Sequence, residues 1–581
     1  MTTKVVDPFI VEKAKLWLQN DYDEETRIAV QKMLQFDENE LVESFYKDLE
    51  FGTGGLRGIM GVGTNRMNKY TVGTATQGLA NYLKNSFAER SQVCIAIAFD
   101  SRNNSQYFAG VAANVLAANG IKVHLFESLR PTPVLSFAVR YLKCQSGIVI
   151  TASHNPKEYN GYKVYWEDGG QLVPPHDKNV INEVQKIKNV KDIKFTGGES
   201  NISTIGKDLD EAYIKAVKSL SLNPEIISKN KELKIVYTAI HGTGAVMVPP
   251  ALKTFGFTNV QFVDDQMIPD GNFPTVISPN PEEKAAMAMA LDKAREINAD
   301  LILATDPDAD RVGVGVKDDK GQYILLNGNQ SASLLIYYLV TQWESKGKLT
   351  GKEYIAKTIV TSELLKDIAR SRDIECFDVL TGFKYIAEVI RENEGKKTFI
   401  GGGEESYGYL VGDFVRDKDA VSACCMLAET AAWAKDQGLS LYELLIDIYS
   451  KFGFYLEDLV SVTKKGKAGA EEIHQMMVNY RTNPPLEIND LKVLAVKDYL
   501  NQIEKNLISG KEYPIDLPES DVLQFILEGG SKITVRPSGT EPKIKFYFGV
   551  KGTLSDKSKF YDINKSMRAS LEGMIDAMGL R

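Results

Sequence analysis

The sequence of 581 residues contains few cysteines and histidines, five of each, and has no long apolar run. The odd cysteine count and the absence of any CxxC pair argue against a disulfide framework and against a structural zinc site. No stretch reaches the roughly 18 apolar residues that a membrane helix requires. Residues 1–15 mix acids and bases and have no apolar core of a signal peptide. We therefore expect a cytoplasmic protein with reduced cysteines and no membrane partner.

An excess of basic residues is also lacking, since the net charge is −8. Such a chain is a poor match for the phosphates of nucleic acid, so we expect no nucleic-acid partner. Its 43% apolar and 25% charged residues are typical of a globular protein. The length is too great for one hydrophobic core and predicts roughly three to five domains.

What the sequence has instead is a recurring pattern in which a short apolar strand ends in a polar loop and a helical stretch follows. The predicted strands cover residues 93–99, 147–150, 233–239, 300–304, 354–360 and 397–400. This alternation predicts an α/β protein with mixed or parallel sheets, whose ligands bind at the carboxyl ends of the strands. The pattern changes after residue 452, and we expect a smaller α+β domain there. The predicted domain boundaries are 1–205, 206–320, 321–455 and 456–581.

The sequence TASHNP at residues 151–156 follows one of these strands directly. Asparagine before proline disfavours helix, so a serine at position 153 is delivered into a tight turn. A hydroxyl fixed on such a turn can carry a covalent intermediate. Serine is also a common turn residue, and Ser153 taken alone would more often be a structural cap.

A second polar loop, TDPDADR at residues 305–311, follows another strand. Asp306, Asp308 and Asp310 stand at alternate positions and can converge on one hard cation such as Mg²⁺. The glycine and glutamate of a helix–loop–helix calcium site are missing at the expected offsets. A solvated acidic turn would have the same composition.

Two further loops have polar groups suited to a sugar phosphate. Residues 401–408, GGGEESYG, combine glycines that let a backbone approach a ligand with side chains that accept hydroxyl hydrogens. Residues 536–543, RPSGTEPK, offer a guanidinium, hydroxyls and backbone N–H groups to a phosphate. Each loop alone would be an ordinary turn.

The four motifs, in this order, resemble those of the α-D-phosphohexomutase superfamily, and the resemblance covers about residues 50–550. It is closest to the long-chain phosphoglucomutases of bacteria. The resemblance implies four domains around a central cleft, a phosphoryl group carried by Ser153, and Mg²⁺ bound by that serine and the three aspartates. It also implies that a sugar bisphosphate, glucose 1,6-bisphosphate, serves as activator and intermediate. The substrate would be a phosphosugar.

The same resemblance assigns supporting roles to further positions. Arg57, His154 and Lys163 match residues beside the nucleophile, with Lys163 as a general acid or base and His154 either orienting the turn or moving protons. Substrate contacts are expected from the following residues: Arg311, Lys384, Glu404, Ser406, Arg536, Ser538, Gly539 and Thr540. Of these, Glu404 and Ser406 would bind sugar hydroxyls, and the last four would bind the phosphate that is not transferred.

The expected reaction is the interconversion of α-glucose 1-phosphate and glucose 6-phosphate. Glu405 between Glu404 and Ser406 favours the glucose branch of the superfamily, while mannose and pentose phosphates stay open as substrates. A serine hydrolase using Ser153 with His154 or His241 would lack the G-x-S-x-G turn and leave the aspartates unused. A metal-dependent phosphatase and a non-catalytic sugar-phosphate sensor are also open at this point.

Overall fold

A computed structural model describes residues 6–52, 54–464, 466–538 and 542–580. Within these ranges four sheets form in chain order, and we call the units built around them domains I to IV. Three α/β domains are followed by a sheet-rich fourth, which confirms the predicted fold class. The exact boundaries between domains stay a prediction. No helix in the described ranges combines the length and hydrophobicity needed to cross a membrane.

Domain I contains a mixed six-stranded sheet in the order β1-β5-β4-β2-β3-β6. Its strands are β1 (Gly55–Ile59), β2 (Cys94–Phe99), β3 (Lys122–Phe126), β4 (Ser146–Ile150), β5 (Tyr159–Trp166) and β6 (Ile202–Ile205). Its helices are α1 (Pro8–Leu16), α2 (Glu24–Phe36), α3 (Glu38–Phe45), α4 (Lys69–Ser86), α5 (Ser105–Ala118), α6 (Thr132–Tyr141) and α7 (His176–Lys186). Strands β4, β2, β3 and β6 are parallel, whereas β5 runs antiparallel to β4.

Both faces of this sheet are buried, which explains why β2 is apolar throughout. Ile95 and Ile97 point into one hydrophobic cluster with α4 and α5. Ala96 and Ala98 point to the opposite face, into a cluster shared with the following domains. A strand covered on both faces is continuously apolar rather than alternating.

Domains II and III repeat the α/β layout with smaller mixed sheets, ordered β11-β10-β9-β7-β8 and β13-β12-β14-β15. Domain II contains α8 (Lys207–Lys218), α9 (Pro224–Lys229), β7 (Ile235–Thr238), α10 (Gly244–Phe255), β8 (Val260–Phe262), α11 (Ala288–Ile297), β9 (Leu301–Thr305), β10 (Val312–Lys317) and β11 (Tyr323–Leu326). Domain III contains α12 (Gly328–Ser345), β12 (Glu353–Thr358), α13 (Leu364–Arg370), β13 (Glu375–Val379), α14 (Phe383–Asn393), β14 (Thr398–Gly403), β15 (Tyr409–Val411), α15 (Ala420–Asp436) and α16 (Leu441–Phe452).

Domain IV is built on an antiparallel sheet in the order β16-β23-β22-β21-β18-β19-β20, with β17 paired to β18. Its elements are β16 (Phe454–Thr463), α17 (Gly466–Thr482), β17 (Glu487–Ile488), β18 (Leu491–Asp498), β19 (Ile503–Asn506), β20 (Glu512–Pro514), β21 (Leu523–Leu527), β22 (Lys532–Pro537), β23 (Lys543–Gly552) and α18 (Phe560–Ala577). Short 3-10 helices lie at Val190–Asp192, Glu199–Asn201, Asp264–Met267, Glu528–Gly530 and Lys557–Lys559.

The role that the sequence analysis gave to the glycines at residues 401–403 is wrong. Gly401, Gly402 and Gly403 are not a ligand-binding loop but the buried end of β14. A Cβ on Gly402 would lie 2.2 Å from the Ala356 carbonyl oxygen in the neighbouring strand. These glycines therefore permit close packing within the sheet, and the polar loop begins only at Glu404.

Candidate active site

Ser153 lies just beyond the end of β4, in a turn with an unusual backbone conformation. Its φ is 52°, a left-handed value that costs a residue with a side chain about 1–2 kcal/mol. The side chain is 4% exposed. Its Oγ donates a hydrogen bond to Asp306 Oδ2 at 2.9 Å and lies 3.2 Å from His154 Nδ1. The strained turn thus holds the hydroxyl against an aspartate of the next domain.

Arg102, in the loop after β2, stabilises this turn through hydrogen bonds. Its guanidinium is buried and donates hydrogen bonds to carbonyl oxygens of the serine loop, namely those of Ser153, Asn155, Pro156 and Tyr159. The planar fork of an arginine can serve several acceptors at once. Sequence reasoning noted a polar loop at this strand end but gave Arg102 no role.

The three aspartates form a buried cluster between β9 and β10. One carboxylate oxygen from each of Asp306, Asp308 and Asp310 lies within 4.8 Å of the others. The loop is fixed from inside, because Asp306 Oδ1 accepts the backbone N–H groups of Asp310 and Arg311 at 3.1 and 3.0 Å. The structure therefore brings together the serine and the aspartates that the sequence singled out.

Two lysines from other domains compensate part of this negative charge. Lys163 on β5 places its Nζ 2.8 Å from Asp308 Oδ2 and 3.4 Å from Asp310 Oδ2. Lys418, just before α15, lies 3.2 Å from Asp310 Oδ2. Thr132 at the start of α6 donates to Asp308 Oδ2 at 3.0 Å. Lys418 and Thr132 were missed in the sequence, because neither lies near the aspartates along the chain.

The electrostatics of the cluster fit a bound cation. Burial and the neighbouring carboxylates raise the pKa of Asp306 well above its ordinary value. Burial would also raise the pKa of Asp308, but the adjacent lysines outweigh it and hold that pKa below the ordinary value. Asp308 Oδ1 and Asp310 Oδ1 are buried and find no hydrogen-bond partner among the described residues. Unpartnered carboxylate oxygens in a buried trio are suited to a hard divalent ion.

Glu404 follows β14 and is a buried acid of domain III. Its Oε1 accepts the backbone N–H of Gly382 at 3.0 Å. Burial raises its pKa to about 7, with Glu405 acting in the same direction and Lys418 against it. Ser406, two residues on, accepts a hydrogen bond from Arg311 through its carbonyl oxygen at 2.9 Å. This contact joins the loop after β14 to the aspartate loop.

Glu405 does not share the orientation of Glu404. Its Oε2 accepts hydrogen bonds from the hydroxyls of Thr358 and Thr361 at 3.1 and 3.2 Å. One oxygen of this carboxylate is thereby engaged within domain III, and the residue also lines the cavity described below. The preference for glucose read from this position stays a prediction.

A cavity of about 630 Å³ adjoins the serine and aspartate cluster and is lined by residues of all four domains. The predicted site residues in its wall are His154, Arg311, Lys384, Glu404, Ser406 and Arg536. Lysine, tyrosine and glutamate side chains of domain IV that sequence reasoning missed also line it: Lys545, Tyr547 and Glu457. A cavity of this size and polarity accommodates a small charged ligand.

The remaining predicted residues lie around this centre. Arg57 on β1 donates to Asn155 Oδ1 at 3.3 Å, which places it beside the serine loop. Ser538 follows β22, and its backbone N–H bonds the Lys543 carbonyl oxygen at 2.7 Å. Gly539 and Thr540 lie outside the described residues.

The histidine pattern argues against a serine hydrolase. His241 is engaged away from the serine, since its ring nitrogens contact the Ile268 carbonyl oxygen at 2.9 Å and Thr275 Oγ1 at 2.8 Å. His154 does reach Ser153, but among the described residues no acidic side chain bonds its second ring nitrogen, as a catalytic triad requires. Burial and nearby arginines lower the pKa of His154 well below its ordinary value.

Three α/β domains, a sheet-rich fourth and a serine beside three buried aspartates define a member of the α-D-phosphohexomutase superfamily. Residues 48–191, 211–321 and 327–452 match the alpha/beta/alpha domains I, II and III of the phosphoglucomutase/phosphomannomutase family. The chain belongs to this family.

Curated relatives agree with this assignment, and solved structures agree with the fold. The chain is 37% identical to a phosphoglucomutase of Staphylococcus haemolyticus, over 89% of this chain and 95% of that protein. A phosphoglucomutase of Staphylococcus aureus strain MRSA252 is 38% identical over 92% and 95%. The parafusin (phosphoglucomutase) structure from Paramecium matches with a TM-score of 0.66 at 18% identity, covering 91% of this chain and 96% of that chain. A family protein from Burkholderia thailandensis matches with a TM-score of 0.62 at 17% identity, over 91% and 97%.

Proposed function

We propose that this protein is a phosphoglucomutase that interconverts α-glucose 1-phosphate and glucose 6-phosphate through a phosphorylated Ser153. The single observation that carries the proposal is the contact of Ser153 Oγ with Asp306 inside a buried aspartate trio. A serine held against metal-binding carboxylates is suited to carrying a phosphoryl group. The relatives named phosphoglucomutase support the choice of sugar.

In the proposed cycle, the bond between phosphorus and the Ser153 oxygen breaks while a bond forms to the 6-hydroxyl of α-glucose 1-phosphate. The hydroxyl proton leaves to a protein base, and glucose 1,6-bisphosphate is the intermediate. The bisphosphate then turns over in the cavity, and its 1-phosphoryl group passes back to Ser153. Glucose 6-phosphate is released, and the enzyme is again phosphorylated.

The residues around the serine support distinct roles. Asp306, Asp308 and Asp310 would hold Mg²⁺, which would draw negative charge from the phosphoryl group during transfer. Lys163 is fully engaged as a counter-ion to two of these aspartates, so we assign it to holding charge in place. His154 lies 3.2 Å from Ser153 Oγ, but its lowered pKa makes it a weak base, so we assign it to orienting the serine turn.

The cavity wall supports recognition of the rest of the substrate. Glu404 and Ser406 would accept the sugar hydroxyls. Lys384 and Arg536 lie on the same wall and would neutralise the phosphate that stays on the sugar. Both ends of the bisphosphate must fit this phosphate position in turn, so the four domains must allow the ligand to reorient.

The test is isomerisation of glucose 1-phosphate by the purified protein, with Mg²⁺ and a trace of glucose 1,6-bisphosphate. Glucose 6-phosphate should form without release of inorganic phosphate, whereas a phosphatase would release it. Mannose 1-phosphate and ribose 1-phosphate are run in parallel. Faster conversion of either sugar than of glucose would refute the glucose assignment, and no conversion of any would refute the mutase.

A further inference from the structure

We propose that Cys94, His124 and Cys144 form a binding site for a thiophilic d¹⁰ cation such as Zn²⁺. This site is remote from the aspartate trio. A potential ligand atom from each residue, two thiol sulphurs and an imidazole nitrogen, lies within 4.8 Å of the others. Two cysteines and one histidine are a ligand set that zinc uses in proteins, with the fourth position open to water. None of the three residues has a part in the proposed phosphoryl transfer.

The fold creates this cluster from three neighbouring strands. Cys94 opens β2, His124 lies in β3, and Cys144 comes two residues before β4, with β2 paired in parallel between the other two. The cluster thus lies toward the amino ends of the strands. Ser153 follows the carboxyl end of β4, so the two sites lie at opposite ends of the strands of the same sheet. The three ligand residues are far apart in sequence and include no CxxC pair, so the sequence alone could not reveal this cluster.

One ring nitrogen of the histidine is held by a neighbouring side chain. Ser203 Oγ lies 3.1 Å from the Val123 carbonyl oxygen and 3.0 Å from His124 Nδ1. When the hydroxyl donates to that carbonyl oxygen, it accepts from Nδ1–H, and Nε2 is then the nitrogen that can bind a cation. Metal-binding histidines are held in this way by a partner on their other nitrogen.

The two cysteines differ in their exposure to solvent. Cys144 is only 1% exposed, whereas Cys94 and His124 are half-buried, which leaves a path from solvent to the cluster. Binding would release the thiol protons, because a metal deprotonates a coordinated thiol.

The competing use of this pair is a disulfide between Cys94 and Cys144. A disulfide has no need of a third ligand group, so the imidazole nitrogen within 4.8 Å of both sulphurs favours a cation. The two possibilities differ in what they require, since a disulfide needs an oxidant and a cation needs reduced thiols.

The test is titration of the reduced full-length protein with Co²⁺ as a spectroscopic stand-in for Zn²⁺, in excess Mg²⁺ so that the aspartate trio is occupied. Cobalt bound to thiolates gives an intense charge-transfer absorption that carboxylates cannot give. We expect one equivalent to produce this band and Zn²⁺ to abolish it by displacement. Cys94→Ser and, independently, His124→Asn should weaken the affinity about tenfold or more.

Cys376→Ser is the matched control, because Cys376 is also a half-buried free thiol but has no comparable ligand group in the described part of the chain. It should titrate like the native protein. Thermal melting checks that each variant is folded. Absence of the band from the native protein, or an equal band in both Cys94→Ser and His124→Asn, would overturn the proposal. So would formation of the Cys94–Cys144 disulfide in a protein that binds no cobalt when reduced.

Discussion

Replacing Arg102 by lysine should loosen the serine loop while leaving the rest of domain I folded. The guanidinium donates to four carbonyl oxygens: Nη1 donates to those of Pro156 and Tyr159 at 2.9 and 3.2 Å, and Nη2 donates to those of Ser153 and Asn155. Lysine keeps the positive charge but has no planar fork. It can retain one of these two pairs of acceptors at best.

The size of the effect follows from the bonds that are lost. A hydrogen bond from a charged donor contributes about 1.5–3 kcal/mol, so losing two costs about 3–6 kcal/mol. The left-handed backbone at Ser153 releases about 1–2 kcal/mol of strain when the turn relaxes, which also favours opening. Taking about 3 kcal/mol alone, the equilibrium between closed and open loop shifts about 100-fold, since 1.4 kcal/mol is a factor of ten.

Amide hydrogen exchange of the segment at residues 151–160 measures this opening directly. The N–H groups of Asn155 and Tyr159 are bonded within the loop, at 3.1 Å to the carbonyl oxygens of Ala152 and Pro156. In Arg102→Lys these amides should exchange about 100-fold faster, in proportion to the open population. The kcat should fall by about 10² as well, because a nucleophile misplaced by about 1 Å loses that much rate.

Arg140→Lys is the control, since Arg140 also donates to a backbone carbonyl, that of Asp168 at 3.0 Å, but does not contact the serine loop. It should leave exchange at residues 151–160 unchanged. If Arg102→Lys shows native exchange and native kcat, the guanidinium does not hold the loop and the strain argument is refuted.

Further predictions concern Ser153, Glu404 and the Mg²⁺ ion. Ser153→Ala should abolish isomerisation without lowering the melting temperature appreciably, and residual turnover near the native rate would exclude the covalent intermediate. Because burial raises the pKa of Glu404 to about 7, its carboxylate form gains population as pH rises through that value. Substrate affinity should rise with it, since an ionised acceptor binds hydroxyls more strongly; a pH profile of kcat/KM that Glu404→Gln leaves unaltered would contradict this. Phosphorylation of Ser153 should tighten Mg²⁺ binding in calorimetry, and equal affinities for the two forms would count against the proposed shared site.

The sequence predicted well those features that short stretches of chain determine. A buried strand that ends in a polar turn is visible in composition, and β2, β4, β7, β9, β12 and β14 all begin or end within a few residues of the predicted positions. The aspartates of one loop are close in space because they are close in sequence. Ser153 and Asp306 come together because both follow strands whose carboxyl ends face the same cavity.

Features that depend on the packing of distant segments could not be predicted. Lys418 is more than a hundred residues from Asp310, and nothing in its local sequence indicates the ion pair between them. The same is true of the cluster around Cys94, which needs the register of three strands. The glycines of β14 were misread because a glycine that lets two strands approach looks the same in sequence as one that lets a ligand approach.

The charges around the aspartate trio explain why a cation and a phosphoryl group belong to one site. Three aspartates set against Lys163 and Lys418 leave one net negative charge. A divalent cation alone would change this to one net positive charge, and a doubly charged phosphoryl group alone would change it to three net negative charges. Bound together, the two groups keep the net charge at one negative, and Ser153, whose oxygen contacts Asp306, would hold the phosphoryl group beside the cation. In a site buried from water, a large net charge is destabilising. The cation and the phosphoryl group therefore each increase the affinity of the site for the other, by the same factor. The same geometry would therefore hold both the phosphoryl group and the cation.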